Sequence, residues 1–94
     1  KGQLHGTIKS WWKDGRPRYE YPYNKGQLHG TIKWWYEDGK PWYECSFYER
    51  QQHGITKWWY IDGQLDNEKY YLYDNEVSEE EYRKHELIVR LSGL

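Results

Sequence analysis

Ninety-four residues with a formal net charge of −1 and one cysteine leave room for a single small domain with a thin core. A charge this near neutral excludes a strong nucleic-acid binder, and Cys45 alone excludes an internal disulfide. Only 36% of the residues are apolar, but 20% are aromatic, including 7 Trp and 11 Tyr, and so rich an aromatic content argues against disorder.

From Lys1 the chain is already in mid-motif, so it reads as a piece of a longer one. No signal-peptide pattern and no membrane-length apolar run is expected. The absence of disulfide staples favours an intracellular, cytoplasmic setting. His5-Gly6, His29-Gly30 and His53-Gly54 recur every 24 residues, and so do Asp14-Gly15, Asp38-Gly39 and Asp62-Gly63. Lys9, Lys33 and Lys57, then Trp11, Trp35 and Trp59, keep the same phase. A fixed period of this size predicts a quasi-one-dimensional array.

Each unit reads strand, Asp-Gly turn, strand, return turn. Thr7 to Lys13 is rich in β-branched and aromatic residues. Asp-Gly predicts a hairpin with a type I′ turn, and Asn24-Lys25-Gly26 predicts the return. A two-residue loop at Asp14-Gly15 sets Lys9 opposite Glu20 and Trp11 opposite Arg18, where cation–π stacking is open to them. In later units Lys33 faces Glu44 and Lys57 faces Glu68. One face then carries Ile8, Trp12, Pro17, Tyr19, Tyr21 and Tyr23, continued by Ile32, Trp34, Tyr36, Pro41, Tyr43, Cys45 and Phe47, and is expected to be dry. The other carries Thr7, Lys9, Trp11 and Glu20 and is wet. A three-residue loop ending in a glycine bulge would shift the pairing by one and turn Trp11, Trp35 and Trp59 inward. The recurring Lys–Glu match favours the first register.

The third unit decays, with Asn67 and Lys69 where the first has Tyr19 and Tyr21, as end repeats do. Ser78 then begins a capping box with Glu81, and Val77 and Tyr82 suit a hydrophobic staple. A helix is predicted over 79–91, its stripe of Leu87, Ile88 and Leu91 folded over the last hairpin. Residues 1–73 are thus the repeat array, with a charge of +3 over residues 1–63, and 74–94 a linker and capping helix in an acidic segment, −4 over residues 64–94.

Gly26-Gln27-Leu28-His29-Gly30, followed by Trp34-Trp35-Tyr36-Glu37-Asp38-Gly39, resembles the MORN repeat in its longer variant. That variant occurs in bacterial proteins described as antitoxins and in tandem arrays of large DNA viruses. The resemblance covers residues 1 to about 73, carried by Gly2 and Gly6, Gly26 and Gly30, and the aromatics and Asp-Gly at fixed offsets; Arg50 departs from it. It implies a mainly β, single-layer antiparallel β-hairpin solenoid with a C-terminal capping helix. It also implies a non-catalytic scaffold for protein interaction or assembly, in some members with lipid binding or dimerisation, and in a viral setting a virion component.

The histidine ladder is too widely spaced to share one metal ion, with equivalent positions about 9–10 Å apart. Structural histidines hydrogen-bonded at turns are expected, with no metal and no cofactor. The glycines lead into strands, not into a helix, and are no phosphate cradle. Cys45 is an inert core thiol. The candidate binding face is aromatic and charged: Trp11, Trp35, Trp59, Lys9, Lys33, Lys57, Arg18 and Trp42. The partner is a protein or a second copy, with no nucleic acid and no small-molecule substrate. Carbohydrate or choline binding, weak attachment to anionic membranes and an antitoxin-like neutralising role are the alternatives.

Overall fold

Three hairpins in series build a single antiparallel meander. The computed structural model describes residues 5–93, so Gly2 lies outside the described residues. Its strands are β1 (Gly6–Trp11), β2 (Pro17–Asn24), β3 (Gln27–Leu28), β4 (Gly30–Trp35), β5 (Pro41–Tyr48), β6 (Gln51–Gln52), β7 (Gly54–Trp59), β8 (Leu65–Leu72) and β9 (Asn75–Val77). The helix α1 spans Glu79–Ser92. The sheet order is β1-β2-β4-β5-β7-β8-β9, with β3 beside β2 and β6 beside β5. The radius of gyration, 15.2 Å, exceeds the ~12 Å of a compact chain of this length, as one open layer requires.

The two turn types exchange places relative to expectation. At Asp14-Gly15 the Trp12 amide donates to the Arg16 carbonyl (2.8 Å) and the Gly15 amide to the Trp12 carbonyl (2.9 Å). Gly15 has φ +93° and Asp14 is not left-handed. This is a three-residue loop with a glycine bulge. Aspartate is needed for its carboxylate, which accepts from the Arg16 amide (3.0 Å), and Asp38 and Asp62 repeat the bond at 2.9 Å. Both central residues have positive φ in the return turns instead: Lys25 and Gly26, Glu49 and Arg50, Tyr73 and Asp74.

The preferred register nevertheless survives over most of each hairpin. Trp11 faces Pro17, as the three-residue loop dictates, but Ser10 then faces Tyr19 and Lys9 faces Glu20. One residue of the second strand is left over: Arg18, Trp42 and Asp66 in the three units. This second bulge cancels the offset of the first. Two expectations fail with it. Trp11 does not face Arg18, whose guanidinium lies over Trp12 (5.0 Å) and Tyr19 (5.9 Å) instead. Pro17 and Pro41 leave the tyrosine face and pair with Trp11 and Trp35.

The dry line of the sheet is narrow. Ile32, Cys45 and Thr56, on adjacent strands, are the buried residues of the tyrosine face. Thr56 hydroxyl contacts Cys45 Sγ (3.4 Å) and Gln52 Oε1 (3.4 Å), and the Cys45 thiol donates to Gln52 Oε1 (3.2 Å). Most of the remaining rings of that face are half-buried by one another and not by a second layer, and Ile8 is exposed, a correction to a face expected to be dry throughout.

The helix starts as expected, with Ser78 Oγ accepting from the Glu81 amide (3.1 Å), and stops at left-handed Gly93. It packs on the opposite, Lys–Glu face of the third hairpin. Tyr82 is its buried residue, set against Tyr70 with ring centroids 5.5 Å apart. The stripe Leu87, Ile88 and Leu91 points outward and is exposed, so the expected docking face was the wrong one. Aromatic bulk on β8, not aliphatic count on the helix, selects the buried side. The expected linker at 74–78 holds β9, which pairs with β8.

Candidate functional site

Because β2 pairs with β4 and β5 with β7, positions of equal phase line up in rows across the whole sheet. One row reads Ser10, Tyr19, Trp34, Tyr43, Trp58, Asn67. Four aromatic rings lie side by side, bounded by a polar residue at each end. Tyr19 and Trp34 have centroids 4.8 Å apart, and Tyr43 and Trp58 5.7 Å apart. The bulge residue Trp42 stands beside this row, edge-on to Trp34 (5.6 Å) and stacked on Tyr36 (5.4 Å, 25° between planes). Trp34, Trp42, Tyr43 and Trp58 line an open groove of about 210 Å³.

The groove is rigidly built. Trp34 Nε1 donates to the Tyr21 hydroxyl (3.1 Å), and the Tyr36 hydroxyl donates to the Trp59 carbonyl in the next unit (2.7 Å). Such ring pairs each contribute about 0.5–1.5 kcal/mol beyond area burial. Burial, with the Cys45 thiol beside it, holds the Tyr43 hydroxyl well above its ordinary range, so it stays protonated as a donor. Arg18 and Asp66 share the phase of Trp42 one unit to either side. The Asp66 carboxylate raises the Tyr60 hydroxyl above its usual value.

The eight candidate residues divide between the faces. Arg18 and Trp42 belong to the groove side. On the other face, Trp11, Trp35 and Trp59 lie on alternate strands and pair with Pro17, Pro41 and Leu65. They therefore do not stack on one another. Lys9, Lys33 and Lys57 fall in a row that reads Lys9, Glu20, Lys33, Glu44, Lys57, Glu68, alternating in sign across six strands. The ion pairs within 4.0 Å among the described residues lie elsewhere, as in Arg16–Asp14 and Arg83–Glu79. Tyr19, Trp34, Tyr36, Tyr43 and Trp58 were not among the candidates. Pairing across unit boundaries, implied by the 24-residue phase, was the signal that would have found them.

Two of the histidines serve turns. His5 Nδ1 accepts from the Lys25 amide (3.3 Å) and His53 Nδ1 from the Tyr73 amide (3.1 Å), each opening a left-handed turn. Among the described residues, no group of three or more His, Cys, Asp or Glu is placed to hold a metal ion. Among the described residues, no helix is long and apolar enough to cross a membrane.

Compared with known families, the chain matches the family model described as MORN repeat variant, three times, over residues 4–25, 28–49 and 52–75. No curated protein and no solved structure was found to match it.

Proposed function

The chain belongs to the MORN repeat variant family, a family of non-enzymatic protein- or membrane-binding repeats, and from that premise we propose that it is a non-catalytic scaffold which docks a partner protein. The observation that carries this is the uncovered aromatic groove at Trp34, Trp42, Tyr43 and Trp58. At about 210 Å³ it is smaller than the ~300–1,000 Å³ of sites that enclose a small molecule, and suits one or two anchoring side chains. Tryptophan-lined grooves dock proline-bearing extended segments, whose backbone is already ordered before binding. Arg18 and Asp66, four strands apart, are about 19 Å from one another by strand spacing. That spans about six residues of an extended segment with an acidic end at Arg18 and a basic end at Asp66.

A library of proline-bearing decamers, read by tryptophan fluorescence, tests the proposal. Binding should fall at least about tenfold in Trp42→Ala, the loss typical of a central anchor. It should be unchanged in Trp35→Ala on the opposite face. The reverse pattern would transfer the function to the Trp11, Trp35, Trp59 and lysine face. A flat response to every peptide overturns the docking groove.

A further inference from the structure

The face opposite the aromatic groove carries a ladder of its own. Trp35 on β4 and Trp59 on β7 lie inside the sheet and two strands apart, a step of about 9–10 Å. Trp11 on β1 keeps the same step. Pro17, Pro41 and Leu65 pair with them, so each tryptophan stands apart from the next. Trp35 and Trp59 are half-buried although strands flank them on both sides, so their access to solvent does not depend on a sheet edge. The helix meets this face at Tyr70, whereas the tryptophans stand at the Asp-Gly end of the strands.

Polar rows run beside the ladder. The nearer is the alternating row from Lys9 to Glu68, three lysines and three glutamates whose charges cancel. A polyanion would meet a glutamate beside each lysine, and a polycation a lysine beside each glutamate. None of these charges closes an ion pair within 4.0 Å on its neighbour, so ammonium donors and carboxylate acceptors keep capacity for a ligand. The farther row holds Thr31 and Ser46, with their hydroxyls 3.3 Å apart.

The complement of such a face is uncharged, rich in groups that both donate and accept, apolar on its underside, and periodic at the tryptophan step. A polyproline helix has nearly that period, three residues at about 3.1 Å each, but its prolines offer no N–H to the glutamates. An extended β-1,4-linked glycan meets every requirement. The C–H face of a pyranose ring packs on an indole, its hydroxyls donate to carboxylates and accept from ammoniums, and two sugars span one step of the ladder. Neighbouring strands of an open sheet turn by about 20–25°, and rotation at the glycosidic linkages lets the chain follow.

We propose that the Lys–Glu face binds an uncharged, extended β-1,4-linked polysaccharide. Its chain runs across the strands with every second sugar on Trp11, Trp35 or Trp59, and Lys33 and Glu44 hydrogen-bond the hydroxyls at its side. The site lies on the face away from Trp42, so this proposal and the peptide groove fail independently.

Neutral cello-, manno-, xylo- and chito-oligosaccharides of two to six sugars, titrated by tryptophan fluorescence and calorimetry, provide the test. At least one series should bind, with affinity rising about tenfold or more from disaccharide to hexasaccharide as further rungs engage. Trp35→Ala should weaken hexasaccharide binding about tenfold or more, and Trp35→Tyr, which keeps a flat ring and guards against misfolding, should restore most of it. Trp11→Ala should weaken the hexasaccharide more than the disaccharide, and Trp42→Ala should change neither. No binding in any series overturns the site, and equal affinity for two and six sugars overturns the ladder. Tighter binding of an anionic glycan such as an alginate hexamer overturns the assignment to an uncharged ligand. Loss in Trp42→Ala with none in Trp35→Ala overturns the face, as does a proline-bearing peptide that displaces the glycan and itself depends on Trp35.

Discussion

Arg50 and Glu49 hold conformations that the same phase in the first unit gives to glycine and lysine. Arg50 has φ +71° where Gly26 has φ +77°. A residue with a Cβ in the left-handed region costs roughly 1–2 kcal/mol. Arg50→Gly should therefore stabilise the protein by about 0.5–1 kcal/mol, once the freer unfolded chain is subtracted. Denaturant titration reads this directly, and a loss of stability would show that the arginine side chain matters more than its backbone. Glycine is equally demanded at Gly54, with φ +128° and Ser46 Cβ only 3.0 Å from where its own Cβ would stand. His53 supplies a pH prediction. Its Nδ1 accepts the Tyr73 amide hydrogen and must therefore be bare. Desolvation, then His85, lower its pKa below 6.5, and Glu86 only partly opposes them. The folded state resists protonation more than the unfolded chain does. Stability from His53 is thus fully present above about pH 6.5 and lost as the pH falls below it. The denaturation midpoint of wild type should drop between pH 7 and pH 5 more steeply than that of His53→Gln, and parallel curves would refute the coupling.

At the level of elements, the helix shows how a few contacts outweigh a pattern. Tyr82 is buried against Tyr70, its hydroxyl donates to Glu86 (3.2 Å), and Arg83 lies over both rings at 5.6 and 5.8 Å. Tyr82→Ala should cost about 3 kcal/mol and release the helix. Leu91→Ser, at a residue 77% exposed, should stay within about 0.5 kcal/mol of wild type. Amide exchange across residues 79–92 separates the two outcomes, and an undocked helix in Leu91→Ser would restore the aliphatic stripe as the docking face. Helical spacing alone could show that Leu87, Ile88 and Leu91 share a stripe, but not that the sheet offers them nothing. The hairpins were more legible. The 24-residue phase placed the two long strands of each unit, though not the short strands β3, β6 and β9, and the Lys9–Glu20 match fixed the register where it holds. The compensating bulge at Arg18, Trp42 and Asp66 was hidden, because three different residue types occupy it and share no local signature. The place of Trp42 beside the aromatic row was hidden for the same reason, since it enters the groove only through that bulge.

For the whole molecule, the rows matter more than the units. Six alternating charges run across the sheet, and each interior member has an opposite charge on both sides. Reversing one member replaces two favourable cross-strand pairs by two unfavourable ones, each pair being worth roughly 0.2–1 kcal/mol. Lys33→Glu would place three carboxylates in line, Glu20, the new residue and Glu44, at the junction of the first two units. Lys9→Glu makes only one such clash, at the edge. Lys33→Glu should therefore destabilise by about 1–2 kcal/mol and Lys9→Glu by about half as much. Both losses should shrink as salt screens these charges, which are half-buried at Glu20, Lys33 and Glu44 and exposed at Lys9, the Debye length of the solution falling from about 10 Å at 0.1 M to about 3 Å at 1 M. The comparison is diagnostic because lysine sits in the same phase and on the same face at both positions, and only the number of neighbouring strands differs. In a quasi-one-dimensional array, stability is a sum over interfaces, so the penalty should follow that number. Equal penalties at Lys9 and Lys33, or penalties indifferent to salt, would mean that the row does not hold the units in register and that packing of the aromatic face does so alone.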